Sequence, residues 1–424
     1  MTVGLAVIVS LMLLAIKVPI GIALMTPAII YIQLSPTSLG TAYQQLVGSV
    51  DSFTLLAIPM FILMGYLANA MGITERLFDV AEAFIGHVNG SLAYINSVVS
   101  FIFSWMSGAA VADAAGLGAM EIPAMRKRGF STGISVGVTA ASATIGPMMP
   151  PSIVAILFAV SAGVSIGGLF AAGVVPAFVL LVVLLLFTAY RLRLEPEIRL
   201  PKATWSHRAR ATRRSLLPLL TPVIILGGIL GGFFTPTEAA AVAAGYMIFL
   251  GVISRNATFP KLYSVAKRAF ITSASIMFVV AGAGLFAWML TRERVPARIV
   301  EVLPDIIGHP IAFLLLLNIA LLGLGMIIEP ASAIIITAPV VLPVALELGI
   351  DPLHLGVVVI FNLIIGLITP PVGIIIYVLS SVTDLTPLEV TKAVLPFLVP
   401  LGIALLLFTL VPSISLWLPR TLGF

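Results

Sequence analysis

Apolar residues run through this chain in long stretches, parted by short polar or proline-containing interruptions. Gly167–Tyr190, Ser215–Gly232, Glu238–Ile253 and Ile271–Leu290 predict membrane-crossing helices, with Met1–Leu34 and Thr391–Pro412 adding more at the two ends. Four stretches are broken inside. Ser91–Met125 carries a polar break at Ser104-Trp105-Met106-Ser107-Gly108, and Pro310–Ala345 carries one at Gly325-Met326-Ile327-Ile328-Glu329-Pro330. Ser131–Val160 contains Gly146-Pro147-Met148-Met149-Pro150-Pro151-Ser152, and Pro352–Ser381 contains Gly366-Leu367-Ile368-Thr369-Pro370-Pro371-Val372-Gly373. Proline removes a helical N–H donor and disfavours helix at the residue before it. In a bilayer the freed carbonyls must be met by protein, water or a bound ion. Matched breaks in apolar surroundings therefore predict a transport site.

The breaks belong to a duplication. At a spacing of 220 residues Pro123 matches Pro343, Gly129 matches Gly349, Gly146 matches Gly366, Pro150-Pro151 matches Pro370-Pro371, and Pro176 matches Pro396. Earlier the spacing is 217, pairing Pro19 with Pro236, Met60-Phe61 with Met277-Phe278, and Gly65 with Gly282. This predicts a first repeat over residues 1–190, a linker over 191–214 and a second repeat over 215–424.

Charge orients the repeats. Eight of the 22 Lys and Arg lie between Arg191 and Arg214, which reads as a cytoplasmic loop able to touch anionic lipid headgroups. Counting crossings outward puts Arg126-Lys127-Arg128 and the Arg255–Arg268 cluster on the same side. The loop with Glu347, Asp351 and His354 falls outside. Equivalent segments then face opposite ways, so the repeats are inverted. That topology closes only if Ser91–Met125 and Pro310–Ala345 each enter and leave on one side, as re-entrant helical hairpins whose tips meet near the midplane. Thr74–Glu82 and Arg292–Glu301 read as amphipathic interfacial helices. Val3 to Ile16 lacks a preceding basic residue and a cleavage site, and reads as a retained membrane segment.

Composition agrees. The chain has 424 residues, 60% hydrophobic and 9% charged, far below the charge of a soluble domain. Absence of cysteine excludes disulfides, thiolate metal sites and a cysteine nucleophile. No His-Asp-Ser, metal-binding or paired-carboxylate arrangement suggests an enzyme, and the net charge of +5 gives no nucleic-acid surface. Hairpins that meet at the midplane favour occlusion over an open channel.

Each hairpin tip and each broken helix exposes free N–H groups at one end and free carbonyls at the other. Carbonyls together with Ser, Thr or carboxylate oxygens suit a hard cation such as sodium, and opposed helix N-termini suit a substrate carboxylate without a basic residue. The first ion site is expected at Ser107, Gly108, Asp113, Gly146 and Pro150, and the second at Gly325, Glu329, Gly366, Ile368 and Thr369. Glu329 reads either as an ion ligand or as the cap of a half-helix. Thr144, Pro151, Ser152, Ser332, Asn362, Pro370, Pro371 and Gly373 are the expected substrate-facing residues, though mid-membrane Ser, Thr and Asn also bond backbone. Thr235-Pro236-Thr237-Glu238 reads as a capped helix start.

The strings Ser107-Gly108-Ala109-Ala110-Val111-Ala112-Asp113, Pro123-Ala124-Met125 and Gly146…Pro150-Pro151-Ser152 resemble the large membrane subunit of tripartite ATP-independent periplasmic (TRAP) transporters. So do Phe234-Thr235-Pro236-Thr237-Glu238-Ala239-Ala240-Ala241 and Thr369-Pro370-Pro371-Val372-Gly373. The resemblance runs from Met1 to Phe424. It implies an all-α, multi-pass elevator-type transporter of the bacterial inner membrane, coupling sodium to uptake of a small organic acid such as sialic acid or a C4-dicarboxylate. It also implies two partners: a periplasmic substrate-binding protein and a small four-helix membrane subunit. Ala109 departs from the pattern, standing where the family usually has a second serine. The nearest rival is a stand-alone sodium/dicarboxylate or citrate carrier of related architecture.

Overall fold

Residues 3–16, 18–199, 201–295, 297–298 and 308–424 are described by a computed structural model of the chain. Among them every regular element is a helix and none is a strand. The N-terminal apolar stretch forms α1 (Val3–Ala15) and α2 (Ile20–Gln33), parted around Pro19. A short polar helix, α3 (Leu39–Gly48), leads to α4 (Ala57–Ala70) and the amphipathic α5 (Ile73–Ile85). The first broken stretch is α6 (Ser91–Ser107) and α7 (Ala110–Lys127); the second is α8 (Thr132–Ala143) and α9 (Ile153–Ala162). The long α10 (Ile166–Arg191) follows.

Beyond the basic linker come α11 (Trp205–Leu230), α12 (Pro236–Ile253) and α13 (Phe259–Arg292). The remaining broken stretches are α14 (Pro310–Gly325) with α15 (Pro330–Glu347), and α16 (Pro352–Gly366) with α17 (Ile374–Val382). The chain continues through α18 (Pro387–Val394), α19 (Leu398–Leu410) and α20 (Pro412–Thr421). Shifted by 220 residues, the bounds of α7 become those of α15, and α8 starts where α16 starts. Among the described residues, seven segments are long and apolar enough to cross a membrane.

Six single prolines do not break their helices. Pro123, Pro176, Pro218, Pro222, Pro339 and Pro343 all lie inside one, whereas the chain leaves helix at Pro150-Pro151 and Pro370-Pro371, both joined by cis peptide bonds. A lone proline costs one ladder bond that neighbours in a membrane bundle can cover, but a pair deletes two adjacent donors and constrains the residue before each ring.

Two sequence expectations need correction. The linker was read as a loop as far as Arg214, yet α11 begins ten residues before Ser215, capped by Thr204, whose hydroxyl accepts from His207 N–H at 3.3 Å. Arg208 explains the extension. Its Nε donates to Ala83 O at 3.0 Å, and its guanidinium lies over the rings of Phe84 and Trp205, tying the basic turn to α5. Likewise α13 begins at Phe259 rather than Ile271, and its 34 residues extend about 51 Å, well beyond a hydrocarbon core of about 30 Å. The amphipathic reading of Thr74–Glu82 falls on α5, which packs on α6 and α11. Of Arg292–Glu301, Pro296 and residues 299–301 lie outside the described residues; α13 ends at Arg292, residues 293–294 form a turn, and 295, 297 and 298 are helical. At Thr235 both halves of the expected capping box are present.

Helices α2, α4, α12 and α13 pack together, and α5 and α11 pack beside them. A second cluster joins α6–α9 and α14–α17. The clusters meet where α13 lies on α15 and where α4 lies on α6 and α9.

Candidate functional site

The arms α6 and α7 double back on each other, and α8 holds them in register. Thr139 on α8 accepts from Asn96 Nδ2 at 2.6 Å, while its methyl carbon would lie 3.5 Å from a Cβ placed on Gly118 of α7. One turn on, Ser142 Oγ donates to Asn96 Oδ1 at 2.8 Å and accepts from Ser100 Oγ at 3.0 Å. Following this ladder to its end leads to the hairpin tip. There Gly108, at φ +59°, makes a left-handed turn that side chains disfavour, and Ala109 is extended before α7 starts. Ser107 Oγ donates to Asp113 Oδ1 across the tip. Asp113 is 1% exposed, and its other carboxylate oxygen has no partner among the described residues. A Cβ on Gly146 would lie 2.5 Å from that oxygen. The carbonyl of Pro151 presses on Gly108. The tip and the proline break thus close face to face around one buried carboxylate.

The other pair closes differently. Asn362 on α16 donates to Asn318 O at 3.0 Å and to its Oδ1 at 2.9 Å, so α14 and α16 are stitched at the position equivalent to Ser142. Beyond this, Gly325 and Gly366 pack backbone on backbone: a Cβ on Gly366 would fall 2.6 Å from Gly325 Cα. Met326 O accepts from Gly373 N–H at 3.4 Å, and Leu367 O accepts from Ile375 N–H at 2.9 Å. Glu329 occupies the N-cap position of α15, half-buried, in extended conformation. Its carboxylate therefore stands at the positive end of the helix dipole.

A cavity of about 730 Å³ lies between these closures. Both tips line it, through Ser107–Ala112 and Glu329–Ala331, as do Pro147 and Leu367 from the two breaks. The opposite wall is α4 and α13.

The sequence pattern of the tripartite ATP-independent periplasmic transporter DctM component matches residues 7–414. The chain is 41% identical, over 96% of both sequences, to the sialic acid TRAP transporter large permease of Vibrio cholerae. It is 39% identical to the C4-dicarboxylate TRAP transporter large permease of Pseudomonas aeruginosa, covering 92% of this chain and 91% of that one. The chain belongs to the TRAP transporter large permease family. It is a multi-pass membrane transport protein and not an enzyme. Its fold matches the crystal structure of the Alcanivorax borkumensis YdaH transporter at a TM-score of 0.65 with 16% identity, over 92% of this chain and 90% of that one.

In this TRAP permease the residues singled out from the sequence divide by position. Ser107, Gly108, Asp113, Gly146 and Pro151 gather at the first closure, whereas Pro150 turns its ring toward Gly173 on α10. Gly325, Gly366 and Gly373 gather at the second, where Ile368 is buried and Thr369 donates to Ile365 O at 2.7 Å. Pro370 is half-buried and Pro371 exposed. Thr144 donates to Ala141 O at 2.6 Å. Ser152 caps α9 by accepting from Ala155 N–H while donating to Pro147 O at 2.5 Å. Neither hydroxyl lines the cavity, nor do the buried Ser332 and Asn362.

Several residues on the cavity and in the hairpin escaped the sequence reading. Tyr66 and Asn69 on α4, and Arg268 and Thr272 on α13, line the cavity. Arg268 is the basic residue among them. The helical spacing of Val265, Arg268, Thr272 and Ile276 was the available signal. Glu121 on α7 is 1% exposed, with both carboxylate oxygens unpartnered among the described residues. A carboxylate in the middle of a hairpin arm was signal enough to single it out.

Proposed function

We propose that this chain is the large subunit of an inner-membrane TRAP system that couples sodium to the uptake of a small organic acid. The observation that carries the reading is the orphaned oxygen of Asp113, buried where the first tip meets the first break, directly behind a cavity bordered by both tips. A buried carboxylate without a counter-charge is costly, and a monovalent cation held by Asp113, Ser107 Oγ and backbone oxygens near Gly108, Gly146 and Pro150 neutralises it. A second ion would sit at Gly325, Glu329, Gly366, Ile368 and Thr369. The cavity volume lies in the range of small-ligand sites. Sialic acid, C4-dicarboxylates and 2,3-diketo-L-gulonate, named for relatives of this chain, all present a carboxylate.

In this reading the two halves are inverted repeats. The hairpins α6–α7 and α14–α15 with the broken helices α8–α9 and α16–α17 form the moving body. It slides as an elevator against a scaffold that includes α2, α4, α12 and α13. Gly65 on α4 fits the idea: a Cβ there would lie 3.0 Å from Met106 O, so the scaffold touches the first tip through a surface without side chain. A periplasmic binding protein delivers the acid, and a small four-helix membrane subunit completes the complex.

The test is uptake into proteoliposomes holding this chain, its small subunit and its binding protein. Accumulation should require an inward sodium gradient. Equal uptake with choline in place of sodium would end the coupling proposal. Full activity without the binding protein would favour a stand-alone carrier.

A further inference from the structure

The cavity's scaffold wall carries its one cationic side chain among the described residues. Val265, Arg268, Thr272 and Ile276 come from one face of α13, and the hydroxyls of Thr272 and Tyr66 meet at 3.1 Å, joining α13 to α4 at the wall. Arg268 lies about one turn before Thr272. It is exposed, and among the described residues it makes no hydrogen bond or ion pair. Most cations of the chain have no need of a partner, being on open surface. Arg268 differs in lining the same cavity as Glu329, Pro330 and the Ser107 tip.

We propose that Arg268 is a docking residue for the substrate carboxylate on the scaffold side of the cavity, engaged when the moving body is at the cytoplasmic end of its travel. The inference rests on the proposed function and adds a specificity element to it. A guanidinium presents a planar fork of donors that matches a carboxylate with two parallel bonds, which an ammonium does not. The basic cluster Arg255, Lys261, Lys267 and Arg268 marks the cytoplasmic end of α13. A residue on the wall that stays behind meets the substrate at one end of the movement only. Such a contact has differential affinity for the two states, so it draws the acid off the tips toward the cytoplasm rather than tightening capture outside. Its positive field also favours anions over neutral sugars in the cavity.

The natural absence of cysteine makes the test direct. Arg268→Cys is reconstituted with cysteine-free partner subunits, and uptake of radiolabelled N-acetylneuraminate and of succinate is measured, each with a binding protein that captures it. The maximal rate should fall about tenfold, corresponding to about 1.4 kcal/mol, while the external concentration giving half-maximal rate changes less than threefold. Reaction with the cationic 2-aminoethyl methanethiosulfonate should restore several-fold of the loss, and the anionic 2-sulfonatoethyl reagent should restore none. Because both reagents act on one folded variant, misfolding cannot mimic this split. Arg268→Cys transporting at the wild-type rate, or responding equally to both reagents, would overturn the docking role. A wild-type complex that accumulates neither acid would instead overturn the function on which the inference stands.

Discussion

The two closures share a sequence pattern but not a chemistry. Around the first break every residue from Ile134 to Ala159 is buried; around the second, burial ends at Ile368, and Pro371 and Val372 are exposed. Acidic residues are also exchanged. At the 220-residue spacing Asp113 corresponds to Ala333 and Glu121 to Val341, while Glu329 corresponds to Ala109. The first module therefore buries Asp113 and Glu121 inside an arm, and the second holds Glu329 at the tip. A buried charge without a partner demands one, whereas one at a helix N-terminus is met by backbone N–H groups. Duplication copies backbone geometry more faithfully than electrostatics.

This contrast sets an order of effects. Asp113→Asn should cost the most, lowering sodium-driven uptake about 100-fold or more, the equivalent of about 3 kcal/mol. Glu329→Gln should cost about tenfold or less, because backbone N–H groups of Ala331 and Ser332 at the start of α15 already meet that carboxylate. Initial uptake rates at several sodium concentrations decide between them, and equal losses would erase the distinction. The glycine seam of the second closure should show in stability instead. Gly366→Ala places a methyl group against Gly325 and should destabilise the detergent-solubilised protein by about 1–3 kcal/mol. Gly402→Ala, with nothing within 4 Å of the new Cβ, should be neutral or slightly stabilising in a thermal unfolding series.

Glu121 supplies a change of opposite sign. Replacing it with Met removes two buried, unpaired oxygens and should raise stability by about 1–3 kcal/mol. A lower melting temperature would mean that the carboxylate holds something in place. Smaller losses concern the polar stitches. Asn362→Ala should cost about 0.5–1.5 kcal/mol and Ser142→Ala about the same, with uptake retained, since neither side chain lines the cavity.

Much of the fold could be read from the chain because its cues are local. The breaks at Gly108, Pro150-Pro151 and Pro370-Pro371 follow from residues that disfavour helix there, a left-handed glycine and proline pairs, and the capping box at Thr235–Glu238 closes within four residues. The extra turns of α11 were hidden because a basic stretch that reads as a loop is held in helix by distant contacts such as Arg208 on Ala83. Thr144 and Ser152 were drawn toward the substrate by their hydroxyls alone, yet each bonds a carbonyl of its own chain within five residues.

The sequence by itself determined that this chain lives in a membrane, where its helices break, and that the breaks come in pairs, because hydropathy and proline act through neighbouring residues. Only the tertiary structure decided which groups come together: Asp113 against Gly146, Gly325 against Gly366, and Arg268 with Glu329 on the lining of one cavity. Those meetings join segments 33 to 61 residues apart in the chain. Their cost or benefit exists only after packing has removed water from between them.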